Sequence, residues 1–320
     1  MVKRVLLASP RGYCAGVERA VDTVEKLLDL HGPPVYVRKQ IVHNAHVVRD
    51  LEARGAIFVE DEREVPEGQT VVLSAHGVAP EVYRNADERG LNTIDATCPL
   101  VTKVHVQARR YAAEGYTILL IGHEGHEEVV GTTGEAPDST ILIQSVADAD
   151  ALDLPPDAKV AYITQTTLSV DETGEIITAL RRRFPDIHAP RREDICYATS
   201  NRQWAVKDLL QEVDLLLVIG SQNSSNSNRL VEVARAHGVD AHLIDDETDI
   251  DVSWLDEVET VGLTSGASAP EKLVDSVCDW FRGRGVEDIS AHRLVEEDVE
   301  FRLPVELRRE LALAESQSQG

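Results

Sequence analysis

One structural unit recurs three times along this 320-residue chain: a cysteine, an amphipathic helix pattern, and an apolar strand that ends in polar residues. The cysteines that open the units are Cys14, Cys98 and Cys196. A polar side chain follows each of them after 28 or 29 positions, namely His43, His126 and Ser224. So regular a recurrence indicates three related βα units rather than three unrelated segments.

A second apolar strand in each unit also ends in a polar residue. These residues are His76, Thr166 and Ser268, which lie 62 to 72 positions after the preceding cysteine. Strands that alternate with helices predict an α/β fold with mainly parallel sheets. Because ligands collect beyond the carboxyl ends of parallel strands, the polar strand ends of three similar units would face one central cavity if the units packed around a pseudo-threefold axis.

The repeat divides the chain into four segments. We predict a first α/β unit over 1–97 (Cys14, His43, His76), a second over 98–195 (Cys98, His126, Thr166), and a third over 196–282 (Cys196, Ser224, Ser268). Residues 283–320 contain few periodic apolar positions and end in the polar run ESQSQG at residues 315–320. This last segment is predicted to be a C-terminal tail, disordered at its tip.

The charge balance is strongly acidic, with 32 lysines and arginines against 56 aspartates and glutamates and a net charge of −24. Such a chain repels nucleic acid and anionic membrane surfaces, so neither is an expected partner. The sequence has no run of eighteen apolar residues and no signal-peptide pattern, which favours a cytoplasmic protein. An anionic ligand would have to be held by neutral donors and backbone amides.

Cysteines in a cytoplasmic protein are typically free thiols or metal ligands. Three thiolates from three units suit a cubane iron–sulfur cluster, whose fourth iron would stay open to a substrate. Each of the three precedes a predicted helix N-terminus, which favours the thiolate form. Any one alone could equally be a core cysteine, and their common position in the repeat favours ligation. Cys278 lies inside a helix pattern and is expected in the core.

The polar residues at the strand ends form a candidate anion site. They are His43, His76, His126, Ser224, Ser225, Asn226 and Ser268. Neutral imidazole and hydroxyl groups can donate hydrogen bonds to phosphate oxygens, and the amides at a helix start add further donors. Each segment alone is also consistent with an ordinary helix cap or an exposed histidine, whereas the set together favours an anion site.

The segment GHEGHEE over residues 122–128 leaves other functions open. Its two histidines, His123 and His126, could serve a zinc-dependent hydrolase of phosphate esters, although the HExxH order is missing. A carboxylate here could instead pass protons to a substrate, with the hydroxyl of Thr166 beside it. A third alternative is a non-catalytic iron–sulfur sensor that binds a diphosphate.

A series of motifs from Ser9 to about Glu306 resembles the LytB family, the 4-hydroxy-3-methylbut-2-enyl diphosphate reductases. These motifs are PRGYCAGVERA, IVHN, SAHGV, DATCPLV, GHEGHEEVVGT, TQTTLS, DICYATSNRQ, GSQNSSNSNRL, SGASAPE and FRLPVELR. So many motifs in one order make the resemblance specific. It implies a pseudo-threefold trefoil of three α/β domains around a [4Fe-4S] cluster. The implied reaction is the reductive dehydroxylation that yields isopentenyl and dimethylallyl diphosphate, the last step of the non-mevalonate pathway.

The resemblance also implies roles for individual residues. The implied cluster ligands are Cys14, Cys98 and Cys196, the implied substrate-binding residues are His43, His76, His126, Thr166, Ser224, Ser225, Asn226 and Ser268, and the implied proton-delivering group is Glu128 with Thr166 and His126. Electrons are expected from an external ferredoxin or flavodoxin. Many members have proline where this chain has Glu127, and Glu128 keeps the family spacing after His126.

Overall fold

A computed structural model describes residues 2–155 and 157–318. Within these ranges the chain forms twelve β-strands and eleven α-helices, and the strands make three sheets. Neighbouring strands in all three sheets run parallel. The predicted α/β class with parallel sheets is therefore confirmed.

Strands and helices alternate along most of the chain, as expected for repeated βα units. The strands are β1 (Arg4–Ser9), β2 (Val35–Arg38), β3 (Ala56–Val59), β4 (Thr70–Leu73), β5 (Asn92–Asp95), β6 (Thr117–Ile121), β7 (Thr140–Ile143), β8 (Val160–Thr164), β9 (Leu215–Ile219), β10 (Asp240–Ile244), β11 (Thr260–Ser265) and β12 (Asp288–Arg293). The helices are α1 (Ala15–His31), α2 (Ala45–Ala53), α3 (Pro80–Glu88), α4 (Pro99–Ala113), α5 (Glu127–Glu135), α6 (Val146–Ala151), α7 (Val170–Arg183), α8 (Tyr197–Leu209), α9 (Ser225–Ala236), α10 (Glu271–Arg282) and α11 (Val305–Ser318). No helix in the described ranges is both long enough and apolar enough to cross a bilayer.

The chain divides into two compact units. The first contains the residues up to Val17, His43–Val47 and Cys196–Glu300, and its sheet has the strand order β10-β9-β11-β1-β12. The second contains Glu18–Val42, Val48–Ile195 and the residues from Phe301 onward. It has two sheets, with the orders β3-β2-β4-β5 and β7-β6-β8. Apart from β1, the strands of each predicted repeat thus lie in a sheet of their own.

The central strands are buried on both faces. In β9 all five residues are buried. Its alternate side chains face two separate cores, with Leu217 and Ile219 in one and Leu216 and Val218 in the other. Helices covering both faces leave only the strand ends open, so the polar residues that follow each strand are available for a site.

Helix α1 begins directly after Cys14 and ends where the sequence predicts. Gly32 takes the left-handed conformation, with φ of 71°, and its N–H donates to the carbonyl of Leu28 at 2.9 Å. Glycine suits this position because a side chain would be strained at positive φ. The predicted stop at Gly32 is confirmed.

Two segments differ from the predicted division of the chain. Strand β1, predicted in the first unit, pairs with β11 and β12 instead. The segment predicted as a tail supplies β12 and α11, while Gln319 and Gly320 lie outside the described residues. A local sequence pattern does not show which strand β1 will pair with. Most residues of β12 are exposed, so the apolar periodicity that would predict this strand is weak.

Candidate active site

The thiol of Cys196 lies at the N-terminus of α8, where this residue is the N-cap. Its sulfur accepts a hydrogen bond from the backbone N–H of Thr199 at 3.3 Å and lies 3.1 Å from the Thr199 hydroxyl oxygen. The helix start, with its partial positive charge, favours a thiolate here.

A chain of hydrogen bonds connects the segments of Cys196 and Cys14 within the first unit. The amide nitrogen of Asn226 lies 3.4 Å from the hydroxyl oxygen of Thr199, and the side-chain oxygen of Asn226 accepts from the N–H of Ala267 at 2.8 Å. The carbonyl of Ala267 in turn accepts from the N–H of Cys14 at 3.2 Å. The two predicted ligands are therefore held in one network.

Both of these cysteines affect the pKa of the phenol of Tyr197, the first residue of α8. Burial raises its pKa, and negative charge at Cys14, Glu297 and Cys196 raises that pKa further. Since both sulfurs act on the same phenol, they share one electrostatic environment in the first unit.

A buried arginine that the sequence analysis did not single out fixes the loop before Cys14. Arg202 is fully buried, and its guanidinium donates to the carbonyl of Gly12 at 2.8 Å and to that of Ala198 at 2.9 Å. It also pairs with Glu297 at 3.2 Å, in the segment predicted as a tail. The motif DICYATSNRQ contains Arg202, but only the three-dimensional contacts reveal its role.

Cys98 lies in the second unit, as the N-cap of α4, with its N–H donating to the carbonyl of Ala75 at 3.0 Å. The guanidinium of Arg19 donates to the carbonyls of Thr97 at 3.0 Å and Asp95 at 3.3 Å. Burial lowers the pKa of Arg19, whereas negative charge at Asp95 and Cys98 raises it. This cation beside the thiol favours the thiolate.

Cys278 is set apart from the other three cysteines. It lies in the middle of α10, is 3% exposed and belongs to an apolar core cluster. Burial raises the pKa of its thiol, so it stays protonated. The other three cysteines form no disulfide and are partly exposed.

A buried carboxyl lies at the start of α5 in the second unit. Glu128 is 2% exposed, and its Oε1 accepts from the backbone N–H of Thr166 at 2.6 Å. Its Oε2 accepts from the Thr166 hydroxyl at 3.1 Å. Burial raises the pKa of Glu128 to about 7; hydrogen bonds from Thr166 oppose this shift and negative charge at Asp194 adds to it.

His126 lies beside this carboxyl, and His76 lies beside His126. His126 is the N-cap of α5, and its Nδ1 accepts from the N–H of Glu128 at 3.2 Å. The His126 ring lies edge-on to that of His76, with 6.0 Å between ring centroids. Burial lowers the pKa of His76 to about 4, so its imidazole is neutral near pH 7, with a Glu127 oxygen 3.5 Å from its Nδ1.

The remaining predicted polar residues lie in the first unit. The hydroxyl of Ser268 donates to the carbonyl of His43 at 2.9 Å, and the amide nitrogen of Asn223 lies 3.2 Å from the His43 Nδ1. Ser224 is the N-cap of α9, and Ser225 is the first residue of that helix. Asn223 was not predicted, although it lies in the same polar motif.

Two glycines at strand ends let the start of α9 approach the sheet. A Cβ at Gly220, after β9, would lie 2.1 Å from the hydroxyl oxygen of Ser227, and one at Gly266, after β11, would lie 2.0 Å from it. Any larger residue would displace the helix start. The donors at the N-terminus of α9 are thereby set directly over the strand ends.

The structure thus assembles the predicted residues in two groups. The first unit brings together Cys14, Cys196, His43, Ser224, Ser225, Asn226 and Ser268, and the second brings together Cys98, His76, His126, Glu128 and Thr166. Among the described residues, no cluster of three potential metal-ligating side chains includes His123 or His126.

The fold and these groups define a class: an α/β protein with parallel sheets, cysteine thiols at helix N-termini and a buried carboxyl whose pKa lies near neutral pH. The sequence model of the family described as LytB protein matches residues 5–282. The chain belongs to the LytB family.

Curated relatives and solved structures agree with this membership. The chain is 63% identical over 313 residues to the 4-hydroxy-3-methylbut-2-enyl diphosphate reductase of Acidothermus cellulolyticus, covering 97% of this chain and 91% of that protein. It is 60% identical over 307 residues to the reductase of the same name from Mycolicibacterium paratuberculosis, covering 96% and 92%. The E-1-hydroxy-2-methyl-but-2-enyl-4-diphosphate reductase structure from Plasmodium falciparum matches with a TM-score of 0.93 at 39% identity, covering 99% of this chain and 100% of that one.

Proposed function

We propose that this chain is a 4-hydroxy-3-methylbut-2-enyl diphosphate reductase, which catalyses the last step of the non-mevalonate isoprenoid pathway. The reaction breaks the allylic C–O bond and forms a C–H bond, consuming two electrons and two protons and releasing water. The products are isopentenyl and dimethylallyl diphosphate. The main support is the buried carboxyl of Glu128, with a pKa near 7, in a chain of the LytB family.

We propose that Cys14, Cys98 and Cys196 hold a [4Fe-4S] cluster. Their chemistry fits this cofactor, because all three are partly exposed cysteines at helix starts that form no disulfide. When bound, a cluster with only three protein ligands supplies single electrons and an open Lewis-acidic iron that weakens the C–O bond.

We propose that neutral donors hold the diphosphate. The residues are His43, His76, His126, Thr166, Ser224, Ser225, Asn226 and Ser268. A chain with a net charge of −24 provides no general positive field, so binding of the diphosphate depends on hydrogen bonds from hydroxyl, imidazole and amide donors. The start of α9 adds backbone N–H groups and a partial positive charge, which favour an anion.

Glu128 is proposed to deliver a proton through its Oε2 atom. Because Oε1 accepts from a backbone N–H, which can only donate, the carboxyl proton belongs on Oε2. That oxygen faces the Thr166 hydroxyl, which can pass the proton on. The imidazole of His76, which burial keeps neutral near pH 7, adds no positive charge that would favour loss of this proton.

The electrons must come from outside the chain, since ordinary side chains cannot supply them. We propose a ferredoxin or a flavodoxin as the donor, acting in the cytoplasm. Either carrier passes one electron at a time, which suits a cluster that accepts single electrons.

Anaerobically purified protein with a chemical reductant is expected to convert 4-hydroxy-3-methylbut-2-enyl diphosphate to the two isomeric products. The measurement is product formation, alongside iron and sulfide content and the visible spectrum. Colourless protein that hydrolyses phosphate esters with bound zinc would overturn the proposal in favour of a hydrolase. An intact iron–sulfur protein that binds the diphosphate without turnover would instead identify a sensor.

The pH profile of kcat/KM should fall on the alkaline side of neutrality. Glu128 is protonated below its pKa of about 7 and can then act as the acid, whereas above this value it loses the proton. We expect a decrease of roughly tenfold per pH unit above the pKa. Iron content measured at each pH is the control. A rate that stays flat or rises up to about pH 8.5 with a full cluster would rule out this acid.

A further inference from the structure

Thr199 occupies a position next to the Cys196 sulfur that the proposed function does not explain. It is fully buried, in the first turn of α8. Its backbone N–H lies 3.3 Å from the sulfur, and its hydroxyl oxygen lies 3.1 Å from it. Either the sulfur or the hydroxyl could be the donor in the second contact, so the direction of that hydrogen bond has to be derived from the neighbouring groups.

The contact with Asn226 leaves the hydroxyl proton of Thr199 available to the sulfur. The N–H of Ala267 can only donate, so the atom of Asn226 that it contacts at 2.8 Å is the side-chain oxygen. The amide nitrogen of Asn226 therefore faces Thr199, 3.4 Å from the hydroxyl oxygen, and donates to it. With that oxygen acting as an acceptor, the hydroxyl proton of Thr199 is free to point at the Cys196 sulfur.

We propose that Thr199 is a positioning residue that orients the Cys196 sulfur as a cluster ligand and raises the reduction potential of the cluster. This inference rests on the proposed cluster. Hydrogen bonds to a ligating sulfur stabilise the more negative, reduced state, and they are one of the ways in which proteins set cluster potentials. Two such bonds from one residue converge on Cys196. The Asn226 amide keeps the second of them in place.

The test compares Thr199→Val and Thr199→Ser in the anaerobically purified holoprotein. Valine matches the shape of threonine but lacks the hydroxyl, while the backbone N–H is retained in both variants. Redox titration of the cluster, followed by its visible and paramagnetic spectra, gives the midpoint potential. We expect a shift to more negative potential in Thr199→Val and a potential like that of the parent chain in Thr199→Ser.

Ser200→Ala is the matched control. Ser200 is the next residue of the same helix turn, and its hydroxyl donates to the backbone carbonyl of Cys196 at 3.3 Å rather than to the sulfur. Its loss should leave the potential unchanged. A larger shift in Ser200→Ala than in Thr199→Val would show that the helix turn, and not the sulfur contact, sets the potential.

Iron content separates this inference from the function on which it rests. If the parent chain and all variants lack iron, the proposed cluster is wrong. If Thr199→Val has full iron and an unchanged potential, the cluster stands and the role of Thr199 is overturned. Loss of iron in Thr199→Val but not in Thr199→Ser would support the positioning role, because serine keeps the hydroxyl that contacts the sulfur and valine lacks it.

Discussion

Glutamine in place of Glu128 is expected to lower turnover about 100-fold or more, the usual contribution of a general acid. The cluster and the affinity for the diphosphate should remain. Glutamine has the same size as glutamate, so the change removes the transferable proton but leaves no cavity at this buried position, where Glu128 is 2% exposed.

The hydrogen bonds around residue 128 can be kept in this variant. The amide oxygen of glutamine can accept from the Thr166 N–H in place of Oε1, which accepts at 2.6 Å in the parent chain. The amide nitrogen would then face the Thr166 hydroxyl, which can rotate to accept instead of donate. A large loss of turnover would therefore report lost proton delivery rather than lost structure.

Glu124→Gln is the matched control for this prediction. Glu124 lies in the same GHEGHEE segment but is exposed. The measurement is kcat for both variants at equal iron content, together with the dissociation constant for substrate. Near-normal kcat in Glu128→Gln with an intact cluster would exclude the proposed role, and an equal loss in Glu124→Gln would point to a general effect of charge in the segment.

The local features of the fold could be predicted from the sequence because local signals determine them. The apolar periodicity after Cys14 predicts α1, and Gly32 marks its end through backbone sterics that need no tertiary contact. The partner of β1 could not be predicted in this way. Its pairing with β11 joins residues about 250 positions apart, and no short pattern encodes such a contact.

The same distinction applies to the candidate site. The positions of His126, Glu128 and Thr166 could be predicted, since each follows a predicted strand, and the structure brings them into contact within one unit. The raised pKa of Glu128 could not be predicted, because it results from burial and a sequence motif does not show which side chains are buried. The proposed role of Thr199 and the role of Arg202 depend on partners in distant segments, namely Asn226 and Gly12. The motif that contains both residues therefore does not predict either role.

Serine in place of Cys98 is expected to remove most of the iron and to lower turnover by about 100-fold or more, since both electrons and the open iron would be lost. Serine oxygen is a hard ligand with a proton that is not readily lost, and it binds soft cluster iron poorly compared with a thiolate. The fold should survive. Position 98 is the N-cap of α4, where no side-chain cap bond is present, and serine is among the residues preferred at such positions.

Cys278→Ser should give the opposite result and thereby serves as the control. Its thiol is 3% exposed in an apolar core, so a hydroxyl there would be buried at a cost of about 1 kcal/mol or more. We expect full iron and turnover with a lower Tm, whereas Cys98→Ser should show lost iron and a Tm like that of the cluster-free parent chain. Iron and sulfide per chain, measured beside Tm, separate the two effects. Full iron in Cys98→Ser, or a marked loss of iron in Cys278→Ser, would show that the wrong cysteines have been assigned to the cluster.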